Sequence, residues 1–238
     1  MSKNPLRLKI AYLYPDFLQG FCSRANLDAF KMRANERNIE ITIDEIKNDD
    51  KIHSSKYDFY YISGSNISML DICNKHLKNN YAELQIALES NSVMLAINCG
   101  YVLFSKNYQL NNSRISKGAG IFNSSCKISE NPTYKKIIGT CDFLDKNKTI
   151  AGFSNTLMEN TEFDDKPFLT LKKNEKEGSR YNNALGTYIT SPLLAQNPYF
   201  CDYLIALCLK VKYKCSIPLA KLCDDIEWYS HNYLLEAK

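Results

Sequence analysis

The sequence predicts a three-layer α/β fold around a mostly parallel sheet. Short apolar or alternating segments, typical of strands, recur through the first hundred residues, and segments with helical spacing separate several of them. One apolar segment, 93–97, stops abruptly at a turn of small residues, 98–100, before a second apolar stretch begins. Helices between successive strands predict parallel pairing, with helices covering both faces of the sheet.

In the first half of the chain, strands are expected at 6–14, 39–46, 57–62 and 93–97 from apolar and period-two patterns. An amphipathic helix is expected between the first two strands and another between the last two, because apolar residues there recur at steps of three or four. The apolar positions of these helices are Leu27, Phe30 and Ala34, then Leu70, Cys73, Leu77, Tyr81, Leu84 and Leu88.

The second half of the chain predicts a small antiparallel region at the edge of the sheet. Its turn-rich connections favour hairpins between short strands. These strands are expected at 115–122, 135–143, 149–153 and 168–171, with a further strand at 184–189. A helix bearing Phe200, Leu204, Leu207 and Val211 comes next, and the tail at 223–235 is expected to be helical. The whole is a flavodoxin-like or Rossmann-like arrangement, predicted as a single domain over 1–238.

Composition argues against several classes of function. The formal net charge is only +4 and the lysines are spread along the chain, which does not favour a nucleic-acid partner. No apolar run approaches the roughly 18 residues of a membrane span, and the amino-terminal segment lacks the apolar core of a signal peptide. The nine cysteines form neither a CxxC motif nor a zinc-like spacing. We expect a cytoplasmic protein without a metal or cofactor.

The turn at 98–100 is the candidate site. In open α/β sheets ligands bind at the carboxyl ends of the strands, and a strand–turn–helix can present a nucleophile on its strained turn residue. Cys99 carries a thiol in this turn. A thiolate attacks only when a base or positive charge activates it, so a catalytic Cys99 would need a histidine partner.

Five segments, in order, resemble the class I glutamine amidotransferase-like family, and within it the GatD subunits of lipid II isoglutaminyl synthase and their CobB/CobQ-type relatives. Residues 95–101, Leu-Ala-Ile-Asn-Cys-Gly-Tyr, are similar to the family's Leu-Ala-Ile-Cys-Gly-Gly-Tyr. Residues 185–198 are similar to its Leu-Gly-Thr-Tyr-Leu-His-Gly-Pro-Leu-Leu-Ala-Asn-Pro segment. The other three are 23–27, resembling the loop before the first helix, 57–66, and 151–155.

The resemblance implies glutamine hydrolysis by a cysteine that a histidine activates, with ammonia passed to a partner enzyme. Aligned without gaps, however, the nucleophile position is Asn98, and Cys99 falls on the following glycine. The general-base position is Thr190, whose hydroxyl cannot accept a proton near neutral pH. The family's second histidine corresponds to Thr156. Cys99 therefore remains a weak catalytic candidate, which would require the turn to shift by one residue.

The surrounding pocket is altered as well. Gly64, Ser65 and Gly100 are the pocket or oxyanion positions that the resemblance implies, with serine beside Gly64 where the family has glycine. Lys136 aligns most nearly with a substrate-holding arginine, and lysine would lose bidentate recognition of a carboxylate. The three histidines of the chain are all predicted at the surface: His53, His76 and His231.

Asn98 has a structural explanation, because asparagine is among the few non-glycine residues that tolerate positive φ. The first functional hypothesis is therefore a GatD-like subunit, inactive as a glutaminase, that scaffolds or regulates a Mur-ligase-like (MurT-like) amide ligase in cell-wall precursor modification. The first alternative is an active amidotransferase that uses Cys99 to supply ammonia for lipid II amidation. The second is a module that binds glutamine or another small polar ligand in the old pocket.

Overall fold

The computed structural model describes residues 5–20, 22–47, 49–111, 114–145 and 147–236. The strands are β1 Leu6–Leu13, β2 Ile39–Ile46, β3 Phe59–Gly64, β4 Val93–Asn98, β5 Asn107–Gln109, β6 Ser116–Lys117, β7 Ser124–Thr140, β8 Ile150–Phe163, β9 Lys166–Leu171, β10 Lys176–Tyr181 and β11 Ala184–Thr187. The helices are α1 Pro15–Leu18, α2 Ser23–Asn35, α3 Leu70–Leu77, α4 Tyr81–Glu89, α5 Cys99–Phe104, α6 Leu193–Gln196, α7 Pro198–Tyr213 and α8 Asp225–Glu236.

The centre of the molecule is a parallel sheet in the order β2-β1-β3-β4-β11. Strands β3 and β4 are buried along their whole length, which explains their nearly continuous apolar sequences. Alternate residues of β4 face opposite layers: Met94 and Ala96 join the core beneath α3, α4 and α5, whereas Leu95 and Ile97 join the core beneath α2 and α7. The predicted three-layer α/β fold is confirmed.

An antiparallel extension continues the sheet through β10, β9 and β7. Strand β7 also forms a long hairpin with β8 and a short parallel pair with β5. The hairpin is interrupted where Ile128 pairs with Met158 but Thr133 pairs with Thr156, so that β7 bulges by several residues against β8. Strand β8 thereby passes along the carboxyl ends of the central strands, and Ser154 forms an isolated bridge to Ile189 beyond β11.

Several element boundaries differ from the sequence predictions. The strand expected at 115–122 is only Ser116–Lys117, and the strand expected at 149–153 continues as Ile150–Phe163. Strand β10 was not predicted. The helix expected through Leu88 is broken into two by a 3-10 turn, Lys78–Asn80. Residues 23–27, which resemble the family's loop before the first helix, form the first turns of α2.

The carboxyl-terminal helix is held against the body of the protein by an ion-pair cluster. The guanidinium of Arg33, on α2, contacts Asp202 at 2.8 Å and Asp224 at 2.7 Å. The imidazole of His231 is only 2% exposed and contacts the Gln196 carbonyl oxygen at 3.1 Å. The prediction of a surface position for His231 is therefore wrong, because α8 folds back over α6 and buries this residue beside Trp228. No helix in the described parts of the chain is long and apolar enough to cross a membrane.

Candidate functional site

The turn between β4 and α5 has the backbone geometry of a sharp strand-to-helix reversal. Asn98 ends the strand with φ 52° and ψ −109°, and Cys99 begins the helix. Positive φ is unfavourable for most side chains and is tolerated best by glycine and asparagine. The conformation expected from the sequence for Asn98 is present.

A cavity of about 420 Å³ lies at the carboxyl ends of β3 and β4. Its walls come from the loop before α2, the ends of these two strands, β7, β8 and the segment after β11. The lining residues are Gly20, Cys22, Ser23, Ser63, Gly64, Ser65, Ile67, Ile97, Asn98, Tyr134, Phe153, Asn155, Thr156, Leu157, Thr190 and Ser191. The fold therefore brings the predicted positions Asn98, Thr190, Gly64 and Ser65 together.

The side chain of Asn98 is held from two sides. Its carboxamide oxygen accepts a hydrogen bond from the Thr156 hydroxyl at 2.7 Å, and its amide nitrogen donates to Ser65 Oγ at 3.4 Å. Thr156 Oγ1 in turn accepts from the backbone N–H of Met158 at 3.0 Å. Asn98 is 2% exposed, so these contacts satisfy polar atoms that are largely removed from water.

Cys99 lies on the other side of the backbone, outside the cavity lining. It is fully buried and belongs to the apolar cluster that also contains Cys73, Leu70 and Val102. Burial raises the pKa of the Cys99 thiol to about 12, since an apolar environment disfavours the thiolate. At neutral pH this side chain is a protonated thiol packed among apolar groups.

Thr190 lines the cavity, but its hydroxyl is engaged by the neighbouring strand. Thr190 Oγ1 accepts a hydrogen bond from the backbone N–H of Asn155 at 3.0 Å and donates to the carbonyl oxygen of Phe153 at 3.4 Å. Ser191 Oγ accepts from the backbone N–H of Phe153 at 3.0 Å. These two hydroxyls therefore fasten the segment after β11 to β8.

The loop after β3 is also closed by internal hydrogen bonds. The backbone N–H of Ser65 donates to the carbonyl oxygens of Leu18 at 3.0 Å and Gln19 at 3.1 Å, and that of Asn66 donates to Leu18 at 3.0 Å. A Cβ on Gly64 would lie 2.2 Å from the Leu18 carbonyl oxygen, so only glycine permits this approach. The backbone donors of Ser65 and Asn66 are thus satisfied within the protein.

The remaining predicted positions serve packing or lie beside the cavity. A Cβ on Gly100 would lie 2.3 Å from the carbonyl oxygen of Ile62, so Gly100 lets α5 pack tightly against β3. Lys136 is not among the lining residues. It pairs with Phe153 in the β7–β8 register, two residues along β7 from Tyr134, which does line the cavity.

Sequence reasoning missed several lining residues because distant segments supply them. Cys22, on the loop before α2, brings a thiol to the cavity, and burial raises its pKa. Tyr134 and Phe153 stack with ring centroids 6.2 Å apart and planes 10° from parallel, and Tyr134 is 74% exposed. Their only sequence signal is an aromatic residue on each arm of the hairpin.

The cavity is polar but uncharged. Among the lining residues that the structure describes, none is Asp, Glu, His, Lys or Arg. His231, which approaches the start of β8, contacts Thr149 and Gln196 rather than the cavity. The described lining therefore offers hydroxyl, amide, thiol and aromatic groups, but no carboxylate or imidazole for general acid–base catalysis.

One solved protein has a similar fold. A solved glutamine amidotransferase superposes with a TM-score of 0.53 at 11% sequence identity, covering 83% of this chain and 98% of its own. At that identity the likeness concerns the fold alone.

Sequence similarity identifies the family. The CobB/CobQ-like glutamine amidotransferase domain model matches residues 9–198, and the chain belongs to that family. It is 28% identical over 204 residues to the GatD subunit of the glutamine-hydrolyzing lipid II isoglutaminyl synthase of Staphylococcus aureus, covering 83% of each chain. It is 25% identical over 225 residues to the same subunit from Streptococcus pneumoniae, covering 90% of this chain and 85% of the relative. The family resemblance drawn from the sequence is confirmed.

Proposed function

We propose that this chain is a GatD-like subunit that does not hydrolyse glutamine and instead scaffolds or regulates a Mur-ligase-like (MurT-like) amide ligase. The substrate of that ligase would be a cytoplasmic cell-wall precursor. Both curated relatives are named as subunits of lipid II isoglutaminyl synthase. Their similarity over most of the chain supports assembly with a second subunit of this kind.

One observation carries the proposal: the side chain on the turn is the carboxamide of Asn98, fixed by Thr156 and Ser65. An amidotransferase needs a thiolate at this point and a base within hydrogen-bond reach. A carboxamide is not a nucleophile at neutral pH, and the Thr190 hydroxyl beside the cavity cannot act as the base.

The burial of Cys99 argues against the shifted nucleophile. Its thiol lies among Cys73 and other apolar side chains, outside the cavity lining. To attack glutamine it would have to leave the core, cross the turn and lose a proton that burial holds tightly. The proposed ligase would therefore take free ammonia, or another amine, from solution.

The test reconstitutes the subunit with its partner ligase and compares two nitrogen sources. We expect amide product with ammonium chloride but none with glutamine, and we expect the subunit to raise the ammonium-supported rate or the stability of the ligase. Ammonia release from glutamine is measured in parallel for wild type and Cys99→Ala. Glutamine-supported product that disappears in Cys99→Ala would establish the alternative, an active amidotransferase.

A third function, a small-ligand-binding module, has a specific observation in its favour, which is the open polar cavity itself. The cavity of about 420 Å³ is within the range of small-molecule sites. Binding there is compatible with a scaffolding role, since a ligand could bias how the subunit holds the ligase. The chemistry of the cavity lining narrows the class of ligand.

A further inference from the structure

We propose that the cavity binds a neutral sugar ring, with Tyr134 as the stacking platform. The inference rests on the proposed function, because it takes the pocket to be free of glutamine chemistry. It depends on three features of the described lining: the absence of charge, the density of hydroxyl and amide groups, and an exposed aromatic face.

The absence of charge selects against ionic ligands. Glutamine carries an ammonium and a carboxylate, and each would lose hydration without meeting an opposite charge among the described lining residues. The amino end of α2, at Ser23, contributes only a partial positive charge. A neutral ligand avoids this cost.

The polar side chains suit a ligand that both donates and accepts hydrogen bonds. Ser63, Ser65, Asn155 and Ser191 line the cavity, and hydroxyl and amide groups can each serve as donor and acceptor. A sugar ring presents several hydroxyls in the same way. Asn155 is exposed at the cavity and no hydrogen bond restrains its carboxamide in the described contacts, so it is free to turn toward a ligand.

The ring of Tyr134 provides a surface for the C–H groups of a sugar, which the polar side chains do not bind. Phe153 supports one face of Tyr134, while most of the Tyr134 side chain is open to solvent. The negative face of an aromatic ring attracts the weakly positive C–H groups of a sugar ring stacked on it. Tyr134 lines the cavity, so a ligand in the cavity can stack on the face of its ring that Phe153 leaves open.

The experiment titrates the full chain with N-acetyl-D-glucosamine and follows the side-chain amide resonances of Asn98 and Asn155 by NMR. We expect saturable shifts with a dissociation constant on the order of 1 mM. At pH 6.5, cationic D-glucosamine and anionic D-glucuronate should bind at least about fivefold more weakly. Tyr134→Ala should weaken N-acetyl-D-glucosamine binding about fivefold to tenfold. Tyr229→Ala, which removes an equally exposed tyrosine on α8, should leave binding unchanged.

The sugar titrations would overturn the inference in any of these cases: no saturable shift with any neutral sugar, equal or tighter binding of a charged analogue, or no effect of Tyr134→Ala. Tyr134 is exposed, so its truncation should not unfold the protein. Glutamine that shifts the same resonances without being hydrolysed would overturn the sugar assignment and leave the proposed function intact. Glutamine that is hydrolysed would overturn the proposed function as well.

Discussion

The hydroxyl of Thr156 donates a 2.7 Å hydrogen bond to the carboxamide oxygen of Asn98, so the residue on the turn is bonded to a residue on β8. The sequence resemblance implies that these are the positions of the family's nucleophilic cysteine and of a histidine. This neutral hydrogen bond lies in the wall of the cavity. The turn retains its shape while its side chain has a structural role.

This contact predicts a measurable loss of stability. In Thr156→Val, Asn98 Oδ1 loses its donor and the backbone N–H of Met158 loses its acceptor. Leaving buried polar groups unsatisfied should lower the free energy of unfolding by about 1–3 kcal/mol. Urea denaturation provides the measurement. The control is Thr170→Val, at an exposed position of β9, which should change the free energy of unfolding by less than about 0.5 kcal/mol. Equal effects of the two substitutions would refute the structural role of the bond between Thr156 and Asn98.

Glu177 predicts a pH dependence of stability. It is 7% exposed, and one carboxylate oxygen accepts from Thr187 Oγ1 and the Tyr188 N–H, both at 2.8 Å, while the other has no partner among the described residues. Burial raises the pKa of Glu177 to about 7 from its usual 4.5. Between these values the folded protein retains a proton that the unfolded chain releases, so stability falls as the pH rises.

In Glu177→Gln the side chain is neutral at every pH, so the free energy of unfolding should no longer fall as the pH rises. We expect the variant to match wild type near pH 4.5 and to exceed it by up to about 3 kcal/mol above pH 7.5. Chemical denaturation across this pH range measures the difference. Glu175→Gln, an exposed neighbour, is the matched control. An advantage that is largest at low pH would show the sign to be wrong.

The ion-pair cluster at Arg33 predicts how the tail is held. The Arg33 side chain is 3% exposed and contacts two carboxylates, those of Asp202 and Asp224. Asp224 lies just before α8. Arg33→Leu leaves Asp224 without its cation and Asp202 paired with Arg37 alone, and should cost about 3–5 kcal/mol. Hydrogen exchange should accelerate in α8 in particular. Arg7→Leu, which breaks an exposed pair with Glu40, should cost less than about 1 kcal/mol and leave α8 protected.

The parallel half of the fold could be predicted because each of its first four strands carries an apolar or alternating pattern in its own sequence. Of the β7–β8 hairpin only the tip was expected, as strands at 135–143 and 149–153. The rest could not be predicted, since much of β7 is polar and exposed and its pairing includes a bulge. Strand β10, Lys-Glu-Gly-Ser-Arg-Tyr, has no apolar alternation and exists through its partners β9 and β11. Tertiary pairing determined these segments, and no local signal marks them.

The candidate site could likewise be predicted only in part. The turn was predictable because Asn98-Cys99-Gly100 comes directly after an apolar strand and asparagine tolerates positive φ. The bond between Asn98 and Thr156 joins residues 58 positions apart and has no local signature. His231 was expected at the surface because histidine is often exposed, but docking of α8 buries it.

The proposed function depends above all on the absence of a nucleophilic thiol from the turn, and chemical labelling measures this. The folded protein is treated with a glutamine analogue that carries a diazoketone, alongside the Staphylococcus aureus GatD as a positive control, and each cysteine is assigned by peptide mass spectrometry. We predict no adduct on Cys99 under conditions that fully label the control. A stoichiometric adduct on Cys99 that is absent from Cys99→Ser would show that the turn still carries an active nucleophile.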